Sequence, residues 1–169
     1  VLGISNGLTS NPSHFKILKL NDKIKYKKID IRESKKFQKE IIKFNPDYIF
    51  HLAAEAIVSK AYENPKKTWE TNTIGTINVL ESLKKIKKKV TVVSITSDKV
   101  YKNFELKRGY SEKDILGGLD PYSASKAAAE ILIISYLKSF REKFTNTCSA
   151  RAGNVIGGGD WSEGRIVPD

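Results

Sequence analysis

The sequence predicts an α/β fold: a doubly wound parallel sheet with helices on both faces. Three observations lead there. Short apolar runs of strand length, such as Tyr48 to Leu52 and Val90 to Ile95, alternate with longer segments of helical period. Strands separated by helices need crossovers, which are right-handed and give parallel neighbours. No repeat, low-complexity tract or Pro/Gly linker divides the chain, so its 169 residues form one unit.

Each element has its own signal. Val1 to Ile4 reads as the end of a strand, followed by a polar loop through Ser13, and Ile24 to Ile31 as the next strand. Ser34 is expected to cap a helix reaching Phe44, with Phe37, Ile41, Ile42 and Phe44 roughly on one face. Asn45-Pro46-Asp47 stops it. The runs at 48–52 and 90–95 lack polar alternation and suit strands buried on both sides. A long helix is expected between them, from about Pro65 to Ile86. Asp120 caps a further helix, with Pro121 at its first position, running towards Phe140. Thr145 to Ala152 forms the last strand, before a glycine-rich loop.

Composition narrows the function classes. Hydrophobic residues at 40% and charged residues at 29% describe a globular chain, and no apolar run has the length of a membrane span. No basic-then-apolar segment opens the chain, and the single Cys148 fits a reducing compartment, so the expectation is a cytoplasmic protein away from membranes. The formal charge of +11 raises the question of nucleic acid, but of 30 basic residues only five are arginine. The lysines gather in runs such as Lys84 to Lys89, the mark of a solvated helix surface rather than of base readout. No nucleic-acid partner and no metal site are expected; His51 and His14 have no second ligand at useful spacing.

In such a sheet ligands bind beyond the carboxyl ends of the strands. Those ends carry Asp30, His51 to Ala54, Ser97-Asp98-Lys99 and Gly153-Asn154. The strongest motif is Tyr122-Ser123-Ala124-Ser125-Lys126, whose four-residue spacing puts Tyr122 and Lys126 on one helix face. A tyrosine titrates near ~10 and is a poor base, but a neighbouring ammonium stabilises its phenolate. A hydroxyl at a strand end, Ser97 here, can hold a substrate oxygen against it. That set removes an alcohol proton while hydride leaves the same carbon for a nicotinamide ring. Tyr-x-x-x-Lys alone is frequent by chance; Asp120-Pro121 before it and Ser97 upstream turn the reading towards catalysis.

These motifs resemble the extended short-chain dehydrogenase/reductase family, with its Rossmann-like domain. Phe50 to Ala54, Glu70 to Thr76 and Thr96 to Tyr101 resemble its nucleotide-sugar 4,6-dehydratases. Asp120 to Lys126 and Ala150 to Trp161 point to the CDP-glucose branch, although Glu55 stands where that branch has glutamine. The resemblance implies that Tyr122 takes the C4 hydroxyl proton of the sugar as hydride passes to NAD, and that Lys126 also holds the nicotinamide ribose. Asp98 maps onto the acid that protonates the departing C6 hydroxyl. Lys99 maps onto the C5 base, where dTDP-glucose dehydratases place a glutamate; it must then lose a proton that a free lysine holds to ~10.4, and a solvated lysine at a strand end is the other reading. Asp30 and Ile31 fall where relatives meet the adenine, with a capping or loop aspartate as the other reading of Asp30. Leu52, Ala53, Ala54 and Asn72 complete the expected cofactor site. Asn154 and Arg165, with Ser97, are the expected nucleotide-sugar contacts, a turn asparagine being the alternative for Asn154. Relatives dimerise through the tyrosine helix and the helix before Val90, so Ile134 and Leu137 are expected to face a second copy.

One expected feature is missing. The turn Gly-x-x-Gly-x-x-Gly should follow a strand and open a helix where amides meet pyrophosphate, and Gly157 to Gly159 has neither that place nor that spacing. The chain also has no methionine. It is therefore expected to be a partial dinucleotide-binding domain over residues 1–169, cut at both ends, carrying the catalytic residues and little of the substrate region. NAD against NADP stays open. The alternatives are a nucleotide-sugar epimerase or another dehydratase and, from a different class, a non-catalytic remnant that only binds.

Overall fold

The computed structural model describes residues 1–144 and 146–164. Its strands are β1 (Leu2–Ser5), β2 (Lys25–Lys28), β3 (Tyr48–His51), β4 (Thr91–Ile95) and β5 (Thr147–Ala150). Between them lie α1 (His14–Ile17), α2 (Ser34–Phe44), α3 (Val58–Glu63), α4 (Pro65–Trp69), α5 (Gly75–Lys84), α6 (Pro121–Ser139) and α7 (Arg141–Phe144). All strand pairings are parallel, as the alternation of strands and helices requires. The ladders form two sheets: β1 with β2, and β3-β4-β5 with β4 in the middle. Tyr48 stands opposite Thr91, and Val92 opposite Thr147.

One face of the larger sheet is packed. Ile49 and Val92 join Ile41 of α2, Leu80 of α5 and Ile133 of α6 in a single apolar cluster, and Phe37 and Phe144 close its ends. The other face is bare. Tyr48 is 68% and Phe50 66% exposed, and Cys148, level with Phe50 across Val93, is exposed too. The expectation of strands buried on both sides fails for β3: continuous apolar residues show that a strand is apolar, not that both its faces are covered.

Local chemistry explains the helix boundaries. α2 begins at Ser34 rather than being capped by it; Glu33 takes the cap position without a side-chain bond, and Asn45 ends the helix in the left-handed region. The long expected helix is one run from Pro65 to Lys84, interrupted by a π turn over Glu70–Ile74. Asn64 caps it, accepting the Lys67 amide. Gly75 is needed inside it: a Cβ there would lie 2.8 Å from Ile31 Cγ2. α6 opens on a capping box in which Asp120 accepts the amides of Tyr122 and Ser123 while the Ser123 hydroxyl reaches back. α1, α3 and α7 have four, six and four residues, too few for a periodic signal in sequence.

Candidate active site

The site assembles where α6 crosses the carboxyl end of β4. β4 ends at Ile95, and the next residues turn sharply: Ser97 caps a short 3₁₀ turn over Asp98–Val100 and accepts the Lys99 amide at 3.2 Å. Its hydroxyl donates to Asp98 Oδ1 at 3.1 Å. Asp98 is also pinned through its backbone, whose amide donates to Ala152 O. Its Oδ2 stands 3.5 Å from the place a Cβ on Gly153 would take, so a glycine there leaves the carboxylate room. Asp98 and Lys99 are exposed at the mouth of the site, while Ser97 is buried. Lys99 Nζ makes no bond among the described residues, which do not enclose it.

From the other side come Tyr122 and Lys126, one turn apart on α6 and both buried. Lys126 Nζ donates to the Ile95 carbonyl at 3.1 Å, tying the helix to the strand end two residues before Ser97. Burial pushes the Lys126 ammonium down to about 8, against the opposing attraction of Glu130. At neutral pH it remains mostly charged, as an ammonium that stabilises a phenolate must. The Tyr122 hydroxyl has no hydrogen-bond partner among the described residues and is free to meet a ligand.

Behind this pair runs a buried polar relay. Asn72, in the π turn, accepts the Glu55 amide at 2.8 Å and gives its own amide hydrogens to Glu55 O and Ser125 Oγ. Ser125 in turn donates to Tyr122 O. Asn72 was expected to touch the cofactor; both its hydrogens are taken, and it ties the loop after β3 to the tyrosine helix. Thr76 donates to Asn72 O, so the 3.0 Å contact with His51 places the proton on His51 Nε2. Burial and the Lys126 charge push His51 down to about 4 and keep it neutral.

The remaining expected contacts are spread along the strand ends. Leu52 and Ala53 lie open and Ala54 is half-buried, giving a ligand a smooth path across β3. Asp30 accepts the Arg32 amide at 2.9 Å and pairs with the Arg32 guanidinium, which holds its carboxyl below the usual range; this is the loop role foreseen as the alternative. Ile31 is spent in the core under Gly75. Asn154 is exposed, with no bond among the described residues, and Arg165 lies outside them. Ile134 is exposed on α6, whereas Leu137 packs against the core cluster. His14 opens α1 and packs its ring against Gly159. No group of metal-ligating side chains and no helix long and apolar enough to span a membrane occur among the described residues.

The sequence assigned no role to Glu130, nor to Thr96 and Arg151 within their motifs. Glu130 accepts from Thr96 Oγ1, from Ser149 Oγ and from Arg151 Nη2. Its spacing was a usable signal, since 122, 126 and 130 continue one face of α6.

Comparison with known proteins agrees with this geometry. The chain is 43% identical over 164 residues to CDP-glucose 4,6-dehydratase of Salmonella typhimurium, a match covering 94% of this chain and 46% of that protein. To dTDP-D-glucose 4,6-dehydratase of Dictyostelium discoideum it is 36% identical over 142 residues, or 78% of this chain and 31% of the relative. The chain thus spans less than half the length of either curated relative. A dTDP-glucose 4,6-dehydratase variant from Streptomyces venezuelae, solved with NAD bound, superimposes with a TM-score of 0.84 at 22% identity, over 99% of this chain and 50% of that one. This likeness confirms the Rossmann-like fold. With the family model for GDP-mannose 4,6 dehydratase matching residues 3–159, the chain belongs to that family of extended short-chain dehydrogenases/reductases.

Proposed function

We propose that this chain is the catalytic part of a nucleotide-sugar 4,6-dehydratase that uses NAD and converts CDP-glucose to its 4-keto-6-deoxy form. The observation that carries the reading is the placement of Ser97-Asp98-Lys99 at the end of β4, to which Lys126, one turn after Tyr122, is bonded through Ile95. Bound NAD would accept hydride from C4 and return it to C6. The chain's own residues fit one end of that cofactor: Lys126 and Tyr122 suit the nicotinamide ribose, and the open Leu52 and Ala53 give it a path. At the pyrophosphate end, no Gly-x-x-Gly-x-x-Gly turn between a strand and a helix lies among the described residues.

The proton chemistry belongs to the side chains. Tyr122, as phenolate beside the Lys126 ammonium, takes the C4 hydroxyl proton while Ser97 steadies that oxygen. The 4-keto group then acidifies the C5 proton. Lys99, once neutral, removes that proton and Asp98 protonates the departing C6 hydroxyl, so one water leaves; as C6 is reduced, the Lys99 ammonium would return the proton to C5. An epimerase needs no acid at C6, and Asp98 beside Lys99 favours elimination over epimerisation.

The test is a chimera in which residues 1–169 replace the matching segment of the Salmonella typhimurium relative, supplied with CDP-glucose and NAD. Formation of the 4-keto-6-deoxy sugar, abolished by Tyr122→Phe, is the expected result. Interconversion of C4 epimers without loss of water sinks the dehydratase reading, and binding without turnover supports a binding module instead.

A further inference from the structure

We propose that Glu130 is a positioning residue of this site: a buried carboxylate that clamps the ends of β4 and β5 to α6 and sets the charge facing the Lys126 ammonium. The proposal rests on the reading of Tyr122 and Lys126 as the proton-transfer pair. Glu130 lies one turn beyond Lys126 and is 1% exposed. Three donors converge on it: Thr96 Oγ1, Ser149 Oγ at 3.1 Å and Arg151 Nη2 at 3.0 Å. Thr96 immediately precedes Ser97, and Arg151 stands three residues before Asn154. One carboxylate therefore fixes both strand ends that carry expected substrate contacts.

Its reach extends further through Arg151. That guanidinium sits 5.1 Å from the Tyr101 ring centroid, and Tyr101 stacks on Tyr110 at 5.1 Å. Arg151 also approaches Glu112 O at 3.5 Å. The loop that follows Asp98 and Lys99 is thus held against the same charge. A buried ion pair is a poor source of stability, because apolar residues of equal volume often do as well. What apolar residues cannot supply is directional bonding to two separate strand ends, or a negative field beside Lys126.

That field has few competitors. Among the described residues Lys126 Nζ bonds only the Ile95 carbonyl; its titratable neighbours are neutral His51 and the Tyr122 hydroxyl one turn away on α6, while Arg151 competes for Glu130 by pairing with it. Burial draws the ammonium towards deprotonation and Glu130 opposes it. Without Glu130, Lys126 would more readily lose the charge that the Tyr122 phenolate requires.

Titration of the chain by lysine ¹³Cε NMR tests this, with Lys126 assigned through its loss in Lys126→Arg. In Glu130→Gln the Lys126 midpoint should fall by ~1 unit, a ~10-fold weaker hold on the proton. Gln keeps the shape and can still accept from Thr96 and Ser149, so a purely structural role leaves the midpoint where it was. Arg151→Gln removes the competing cation and should raise the midpoint. In the unmodified chain the Glu130 carboxyl ¹³C signal should show an inflection at the Lys126 midpoint, a reading that needs no variant to fold. An unmoved midpoint in either folded variant, or no such inflection, overturns the proposal. In the chimera the activity–pH profile of Glu130→Gln should shift with the NMR midpoint. A parent chimera that never dehydrates CDP-glucose defeats the functional reading and leaves the NMR result to stand alone.

Discussion

In the proposed dehydratase, Asp98 is the residue on which elimination would depend. Asp98→Asn keeps its shape and its place above Gly153 but removes the proposed acid for the C6 hydroxyl. In the chimera, oxidation at C4 should survive, because Tyr122 and Lys126 are untouched, while loss of water slows by ~10²–10⁴-fold. The 4-keto hexose should then accumulate ahead of the 4-keto-6-deoxy product, which rapid quench and mass analysis would resolve; product at the parental rate means another acid. His51 answers to a different control, pH. Its folded value of about 4 lies below the ordinary 6.5. The fold holds it neutral, and the unfolded chain binds the extra proton as pH falls. Stability is therefore full above ~6.5 and is lost towards ~4, by about 3 kcal/mol over the window. His51→Gln keeps a donor for Thr76 and should flatten that part of the stability–pH curve in urea unfolding; an equally steep curve would remove His51 as its cause.

At the scale of elements, the capping box of α6 orients Tyr122, because Asp120 bonds the Tyr122 amide itself. Asp120→Ala should cost about 1–2 kcal/mol, read as a lower denaturation midpoint, and Asp120→Ser should recover most of it. A cost within ~0.3 kcal/mol of zero would show the helix start to be fixed by packing alone. This start was legible in sequence because capping is local: Asp120, Pro121 and Ser123 are neighbours. Tyr122 and Lys126 were legible for the same reason, being one turn apart. Glu130 continues the same face of α6, but its role was not legible from that spacing, since its partners Thr96, Ser149 and Arg151 reach it only after β4 and β5 pair. Asn72 and Ile31 were named from a motif, which gives chain position and not direction; in the fold the Asn72 amide bonds Glu55 and Ser125, and Ile31 packs under Gly75. The π turn at Glu70–Ile74 leaves no mark on hydrophobic period.

The molecule as a whole is shaped by its open sheet. The doubly wound order places two strands on one side of a central strand and three on the other. β2-β1 and β3-β4-β5 match those two sides, and neither β1 nor β3 has a partner on its other edge among the described residues. One central parallel strand would join the sheets, and a helix following it through a glycine turn would cover Tyr48 and Phe50. The same turn would bring amide donors to a pyrophosphate. The chain by itself should accordingly bind NAD weakly in calorimetry and bind a hydrophobic dye at the bare face. A strand–glycine turn–helix segment fused ahead of Leu2 should raise the denaturation midpoint, suppress the dye signal and confer NAD binding. Phe50→Ser separates specific covering from general stabilisation. In the chain alone Phe50 is 66% exposed, so its loss should be nearly silent. In the fused protein the same change should cost about 2–4 kcal/mol, because a covered aromatic is then replaced by a hydroxyl. Equal small costs in both backgrounds would mean that the added helix does not seat on β3. Tight stoichiometric NAD binding by the unfused chain would mean that its phosphates find donors elsewhere.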